Sequence, residues 1–285
     1  MEQRNIGILH PGQMGVSIAA AAKKSGHRVY WVSAGRSAQS RARAAEQGLL
    51  DARTLVELCA TCEILISVCP PHAAEDLAAE VIAHDFQGTY LDANAIAPQR
   101  ARRIGQALEA KGVHFVDGGI IGGPAWDPGK TLLHLSGPHA EIVVSCFAGS
   151  PLATNILGAE PGKASALKMC YAAYTKGTTA LLCAILATAE TLNVRDALCE
   201  QWSKGNSNLD QKAAQQVRGV TAKAWRFEGE MREISSTFEE AGLPGGFHAA
   251  AAAIYGRIAE FKDAAETPAL ESVLDRLRQV NAAEK

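Results

Sequence analysis

The 285-residue chain has no surplus of basic charge: 28 Lys and Arg stand against 30 Asp and Glu, a net charge of −2 at pH 7. That balance offers nothing to neutralise a run of phosphates and excludes a nucleic-acid backbone as the main partner. A long apolar run is missing too. The longest stretch, residues 178–189, is about 12 residues, and a bilayer needs ~20, so no membrane partner is expected. The polar start, Met1–Asn5, leads straight into an apolar run without the pattern of a secretory signal, and a cytoplasmic location is expected. Aromatic residues make up only 6%. The seven cysteines are an odd number and thinly spread, which argues against a disulfide framework and for a reducing compartment. Cys59-Ala-Thr-Cys62 is a lone pair with no second pair and no histidine at ligand spacing. It reads as buried thiols at a helix end, and no metal site is expected.

What is present is an ordinary globular composition, 47% hydrophobic and 20% charged, in a chain long enough for roughly two domains. The first half alternates. Apolar or β-branched segments at Asn5–Leu9, Arg28–Val32, Ile64–Val68, Thr89–Leu91 and Val113–Val116 read as strands. Between them, Gly12–Gly26, Ser37–Gly48 (with Ser37 as N-cap), Ala73–His84 and Pro98–Gly112 read as helices. Strands alternating with helices of this length predict βαβ units and a mainly parallel, doubly wound α/β sheet. Near Gly149–Gly162 a Gly/Pro-containing connector ends this style, and beyond it only helices are predicted: Ala164–Asn193, a run to Gly242, and Phe247–Ala265. The division expected is an N-terminal Rossmann domain over residues 1–160 and an all-α domain over 161–285 for substrate binding and dimerisation. One very apolar helix in such a domain suggests a homodimer formed through it.

The segment Ile6-Gly-Ile-Leu-His-Pro-Gly-Gln-Met-Gly15 sits where the first strand meets the first helix. A dinucleotide fold places G-x-G-x-x-G there: a turn glycine, a glycine that lets backbone approach pyrophosphate, and a glycine for helix–strand packing. Gly12 and Gly15 occupy the second and third places and His10 the first, with Pro11 holding His10 extended. The amides of Gln13 and Met14 would face the pyrophosphate. After the second strand, Trp31-Val-Ser-Ala-Gly-Arg-Ser37 carries no carboxylate for a ribose diol. Arg36, with Ser33 and Ser37, can bind a 2′-phosphate instead, so the expected cofactor is NADP(H). Cys69 and Pro70, in Val68-Cys-Pro-Pro-His72, fall in a loop expected to lie over that cofactor.

With these residues in place, the chain resembles the β-hydroxyacid dehydrogenase superfamily, which includes 3-hydroxyisobutyrate dehydrogenases, 6-phosphogluconate dehydrogenases and imine reductases. It looks most like a branch with a phosphogluconate-dehydrogenase-like C-terminal domain. Leu91-Asp-Ala-Asn-Ala-Ile-Ala-Pro98 is similar to the family's D-x-S-T-x-x-P segment near the nicotinamide, with Asn94 in place of serine. Val116-Asp-Gly-Gly-Ile-Ile-Gly-Gly123, followed by Gly129-Lys-Thr-Leu132, is similar to its substrate loop. The resemblance implies that the amides of Gly122 and Gly123 bind a substrate carboxylate and that Asn94 orients substrate or nicotinamide. Ile121 replaces the loop's serine. Gly162-Lys-Ala-Ser-Ala-Leu-Lys-Met-Cys-Tyr171 resembles G-x-x-x-x-x-K-x-x-N, with Lys168 on the catalytic lysine and Tyr171 on the asparagine.

The chemistry that the resemblance implies is hydride transfer between the nicotinamide and a carbon bearing oxygen. A carbonyl reduced in this way builds charge on oxygen, and an acid must meet it. Lys168 can give that proton, or take it from the alcohol in the reverse direction, and Tyr171, three residues on, shares its helix face. The activity expected is interconversion of a small hydroxy acid with its keto or semialdehyde acid. Two rivals remain: an NADPH-dependent imine reductase, which usually lacks a lysine here, and a non-catalytic NADP-binding or sensing protein, favoured by the missing first glycine. His248 reads as a capping or packing residue, and Trp126 as a wall of an apolar pocket.

Overall fold

The structure, a computed structural model, describes residues 2–204 and 208–279. It divides into two compact units, Met1–Met169 and Cys170–Lys285.

In the first unit the predicted alternation is realised as β1 (Asn5–Ile8), α1 (Gln13–Lys24), β2 (Arg28–Trp31), α2 (Ala38–Glu46), β3 (Leu50–Asp51), α3 (Leu55–Thr61), β4 (Ile64–Ser67), α4 (Ala74–Ala83), β5 (Thr89–Asp92), α5 (Pro98–Glu109), β6 (His114–Gly122), β7 (Thr131–Ser136), α6 (Ala140–Ser145) and β8 (Ala153–Ile156). The sheet order is β3-β2-β1-β4-β5-β6-β7-β8. Pairing is parallel from β3 through to β6, antiparallel between β6 and β7, and parallel between β7 and β8. The central parallel strands β1 and β4 are buried apolar runs because helices cover both faces of the sheet. One face buries Ile6, Ile8, Val16, Ile18 and Leu133; the other buries Leu58, Leu65, Leu77, Tyr90 and Phe115. This is a mainly parallel, doubly wound α/β sheet. Its strand order reverses between β1 and β4, and in such sheets ligands bind in the crevice at the carboxyl ends of the strands beside the reversal.

Several elements escaped the sequence reading. β3 has two residues and α3 seven, too short for periodicity to show. α3 is nonetheless capped by Thr54, which accepts the Glu57 amide at 3.2 Å. The strand expected at Val113–Val116 and most of the loop expected after it are one nine-residue strand, β6 (His114–Gly122), which forms a hairpin with β7. The connector at residues 149–162 contains β8. Glycine at three of those hairpin positions hid the strand signal, since glycine disfavours strands unless another backbone must come close. Here one does. A Cβ on Gly119 would collide with the Ala164 carbonyl of the helix crossing above it.

That helix is α7 (Lys163–Thr191), 29 residues long. Its start is tied to β6 by one side chain. Asp117 is fully buried, and its Oδ2 accepts the amides of Gly162 (2.9 Å), Ala164 (3.0 Å) and Ser165 (3.0 Å) and the Ser136 hydroxyl (2.8 Å). Its Oδ1 accepts the Ser165 hydroxyl at 2.5 Å. A carboxylate at a helix N-terminus answers both the orphan amides and the positive end of the dipole.

Among its described residues the second unit contains helices and no strand. The rest of α7 is followed by α8 (Arg195–Ser203), α9 (Leu209–Glu240), α10 (Gly246–Arg257) and α11 (Leu270–Arg278). Lys176 of α7 pairs with Glu230 of α9, both nearly buried, and the lysine amine lies 4.7 Å from the Phe227 ring centre. The Tyr255 hydroxyl of α10 donates to the Lys176 carbonyl at 2.7 Å.

Asp117→Ala should lower the free energy of unfolding by about 3–5 kcal/mol, because it strands buried amides without an acceptor. Asp117→Asn, which keeps one acceptor, should cost less. Urea titrations of the two variants against the parent protein give the comparison.

Candidate active site

The turn between β1 and α1 forms without its first glycine. His10 does not take the left-handed backbone that favours glycine; among the described residues other than glycine, only Arg53, Asp85, Asn193 and Asn208 do. Gly15, in contrast, is obligatory, since a Cβ there would run into the His10 carbonyl. Gly12 is the N-cap of α1, and no side chain caps the helix. A Cβ at Gly12 would meet nothing within 4 Å, so the first amides of α1 face open space that a phosphate could occupy. Pro11 is buried beneath this turn, while Gln13 is exposed and Met14 partly so.

Two buried nitrogens border the turn without partners: Nδ1 of His10 and Nε of Arg36. Arg36 is not a solvated helix-start residue. Its Nη2 donates to the Leu9 carbonyl at 3.0 Å, across the end of β1, and burial lowers its pKa. Burial, with the Arg36 charge second, brings His10 down to about 4, so its ring is neutral at pH 7. The other residues expected at the ribose have local work. Ser37 caps α2, accepting the Ser40 amide at 3.2 Å. Ser33 is buried near the Asp51 carboxylate at the end of β3, whose pKa it helps to lower against the effect of burial. Asp51 was not anticipated, because a two-residue strand leaves no pattern to place it. The empty Gly12 cradle, the uncapped helix and the unpartnered Arg36 nitrogen fit a dinucleotide.

Asn94 is 3% exposed and ties the end of β5 to the loop after β4. Its Oδ1 accepts the Cys69 amide at 2.6 Å, its Nδ2 donates to the Ser67 hydroxyl at 2.9 Å, and its own amide donates to Asp92 Oδ1 at 2.9 Å. The structure therefore shows Asn94 holding the Cys69–Pro70 segment, which then enters a short 3₁₀ turn at Pro71–Ala73. The Cys69 thiol is pushed up to about 12 by burial. Cys59 and Cys62 are likewise buried thiols, raised to about 11 and about 12. Asp92 is fully buried beside its register partner Asp117. Its Oδ2 lacks a hydrogen bond, and burial, reinforced by the Asp117 charge, pushes its carboxyl up to about 7.

Lys168 sits one turn beyond the Asp117 anchor. Its Nζ donates to the Ile120 carbonyl of β6 at 2.6 Å, which places the amine on the glycine-rich strand. Gly122 and Gly123 are exposed where that strand turns, and the Gly123 carbonyl accepts the Thr131 hydroxyl at 2.6 Å. The loop beyond them is pinned to α1, with the Ala125 amide donating to the Ser17 hydroxyl at 2.9 Å. Trp126 lines a groove of about 640 Å³ between this loop, Gln13 and Val16 of α1, and Arg43 and Glu46 of α2. Tyr171, in the second unit, is 48% exposed. His248 is buried there, with its ring centre 4.3 Å from that of Phe238 and 5.1 Å from that of Phe247, which is the packing role expected.

Residues 5–146 match the model of the NAD binding domain of 6-phosphogluconate dehydrogenase, and residues 189–258 match a domain of unknown function, DUF1932. A 3-hydroxyisobutyrate dehydrogenase from Pseudomonas aeruginosa is 29% identical over 144 residues, 48% of this chain and 47% of that protein. The 3-hydroxyisobutyrate dehydrogenase of Mycobacterium tuberculosis, solved with L-serine, superposes at TM-score 0.68 with 18% identity over 98% of this chain and all of that one. The chain belongs to the β-hydroxyacid dehydrogenase superfamily. An imine reductase from Myxococcus stipitatus, a variant solved with NAD+, shares the fold at TM-score 0.56 and 19% identity over 98% of this chain and all of that one. The curated relatives are matched over 43% to 63% of their own lengths.

The two glycines of the turn should separate binding from folding. Gly12→Ala should leave stability within about 0.5 kcal/mol while weakening dinucleotide binding at least about tenfold, and Gly15→Ala should destabilise the fold itself. Thermal melts and dinucleotide titrations of the two variants make the test.

Asp92 sets a pH dependence of known sign. Its carboxyl titrates at 3.8 when unfolded and about 7 when folded. Between those values the unfolded chain has lost the proton that the folded chain retains. Stability therefore falls as pH rises through that window, by up to about 1.4 kcal/mol per pH unit. Asp92→Asn should flatten this slope in urea titrations at about pH 5, 6 and 7, and an undiminished slope would assign it to another group.

Proposed function

We propose that the protein is an NADP(H)-dependent oxidoreductase that interconverts a small hydroxy acid and its keto or semialdehyde acid, with Lys168 as general acid and base. The observation that carries the reading is the Lys168 amine at 2.6 Å from the Ile120 carbonyl, fixed beside the exposed Gly122–Gly123 turn. When bound, the nicotinamide accepts or returns the hydride. Lys168 takes the hydroxyl proton as the C–H bond gives up its hydride, and in reduction it returns that proton to the carbonyl oxygen. The amides of Gly122 and Gly123 hold the substrate carboxylate, and Tyr171 completes the proton-handling pair. Asn94 keeps the Cys69–Pro70 segment at the cofactor. Arg36 supports the 2′-phosphate preference: its unpartnered Nε and its place at the β1–β4 crevice suit a dianionic group.

In this reading residues 1–160 bind NADP(H) and residues 161–285 supply the substrate and dimerisation domain. The protein works as a homodimer in the cytoplasm. Lys168 favours carbonyl over imine chemistry, because an iminium already carries the charge that an acid would supply.

Lys168→Ala should reduce kcat on the responsive keto acid by about 10²–10⁴-fold with NADPH affinity unchanged in calorimetry. Full carbonyl turnover in that variant would remove the mechanism. Turnover confined to imines would favour the reductase rival, and tight NADPH binding without turnover on either panel would leave a sensor. Arg36→Ala should weaken NADPH about tenfold or more while leaving NADH nearly unaffected. A larger gain in NADPH affinity from Asp51→Asn than the loss caused by Arg36→Ala would make the β3 carboxylate the true determinant.

A further inference from the structure

The groove of about 640 Å³ beside Trp126 lies wholly within the first unit, and its size is that of a small-molecule site. Nothing in the handling of dinucleotide or hydride accounts for it. Its apolar side is Val16 of α1, Pro124 and the ring of Trp126. Trp126 is 48% exposed on a loop held at two points. The buried Ala125 amide donates to the Ser17 hydroxyl, and the Thr131 hydroxyl donates to the Gly123 carbonyl. An indole face presented to water by a fastened loop is a preformed stacking surface. The facing wall is the last turn of α2, where Arg43 and Glu46 stand three residues apart and share a helix face. Base before acid is the poorer order for a pair on a helix, and among the described residues neither side chain enters an ion pair. Arg43 is half-buried and Glu46 exposed. The side chains of Gln13 and Gln47 complete the lining.

The signs select the ligand. An anion alone would be met by Arg43 and repelled by Glu46, and a cation alone the reverse. An apolar molecule would cover both charges and answer neither. A zwitterion answers both, and its net charge of zero matches theirs. Glu46 is also the last residue of α2, where the helix dipole already favours a cation. We propose that this groove is a binding site for a free α-amino acid with an apolar side chain. The Arg43 fork takes the carboxylate, Glu46 and the end of α2 take the ammonium, and the side chain lies on Trp126, Pro124 and Val16. The site goes beyond the oxidoreductase reading and uses none of the Lys168 chemistry.

Ligand-observed NMR titration of the full chain tests this with three probes: L-phenylalanine, 3-phenylpropionate, which lacks the ammonium, and 2-phenylethylamine, which lacks the carboxylate. L-Phenylalanine should bind with a dissociation constant of about 1 mM or tighter, the scale for about twelve heavy atoms, and each analogue at least about tenfold more weakly. Arg43→Ala should weaken L-phenylalanine about tenfold or more and leave 2-phenylethylamine unchanged. Glu46→Gln should weaken it likewise and leave 3-phenylpropionate unchanged. Trp126→Ala should weaken all three probes. Circular dichroism melts of the three variants should superpose on that of the parent. No saturable binding of L-phenylalanine up to about 10 mM, tenfold above that scale, overturns the proposal. Binding of 3-phenylpropionate as tight as that of L-phenylalanine makes the groove an anion site and overturns the amino-acid assignment. L-Phenylalanine affinity untouched by all three substitutions puts the ligand elsewhere on the chain and overturns it as well. NADPH titration of the parent protein is a separate arm, whose failure removes the oxidoreductase reading and leaves this site standing.

Discussion

A buried carboxylate, Asp117, fixes how the long helix α7 starts against the sheet. It projects from the middle of β6 and gathers the first amides of a 29-residue helix. Free amides at a buried helix start are costly, and a charge at that point answers several of them at once. The position of Lys168 is a result of this anchor. The amine reaches Ile120 because α7 is held flush against β6, and it is flush because Gly119 has no side chain to hold it off. Strand, glycine, carboxylate and lysine form one arrangement, in which the first three fix the position of the fourth.

The cofactor turn shows how an incomplete motif keeps its geometry. The missing first glycine would be a defect if the backbone there had to enter the left-handed region, and at His10 it does not. The third glycine has no substitute, because the carbonyl of the replaced residue occupies the space its side chain would need. His10, made neutral by burial and by the neighbouring Arg36, adds no positive charge that would require a counter-ion before cofactor arrives.

Much of this was legible in the residues. Alternating apolar runs and helix-length segments identify a parallel sheet, and Ser37 declares itself as a cap before any coordinates are seen. Lys168 could be picked out through its likeness to a family motif. The hairpin at residues 114–136 was not legible, because the glycines that admit α7 also erase the strand pattern. β3 and α3 were too short to leave a period. Side-chain allegiance is the deeper gap. Nothing in one-dimensional spacing says that Asn94 will direct its amide to Cys69 and Ser67, since that depends on a strand distant in sequence.

The small bond between the Ala125 amide and the Ser17 hydroxyl has a mechanical consequence. It fastens the turn that comes after the glycine strand to the middle of the first helix, whose own start faces the phosphate cradle. The turn and the helix are joined at a buried point, so neither can shift without straining this bond.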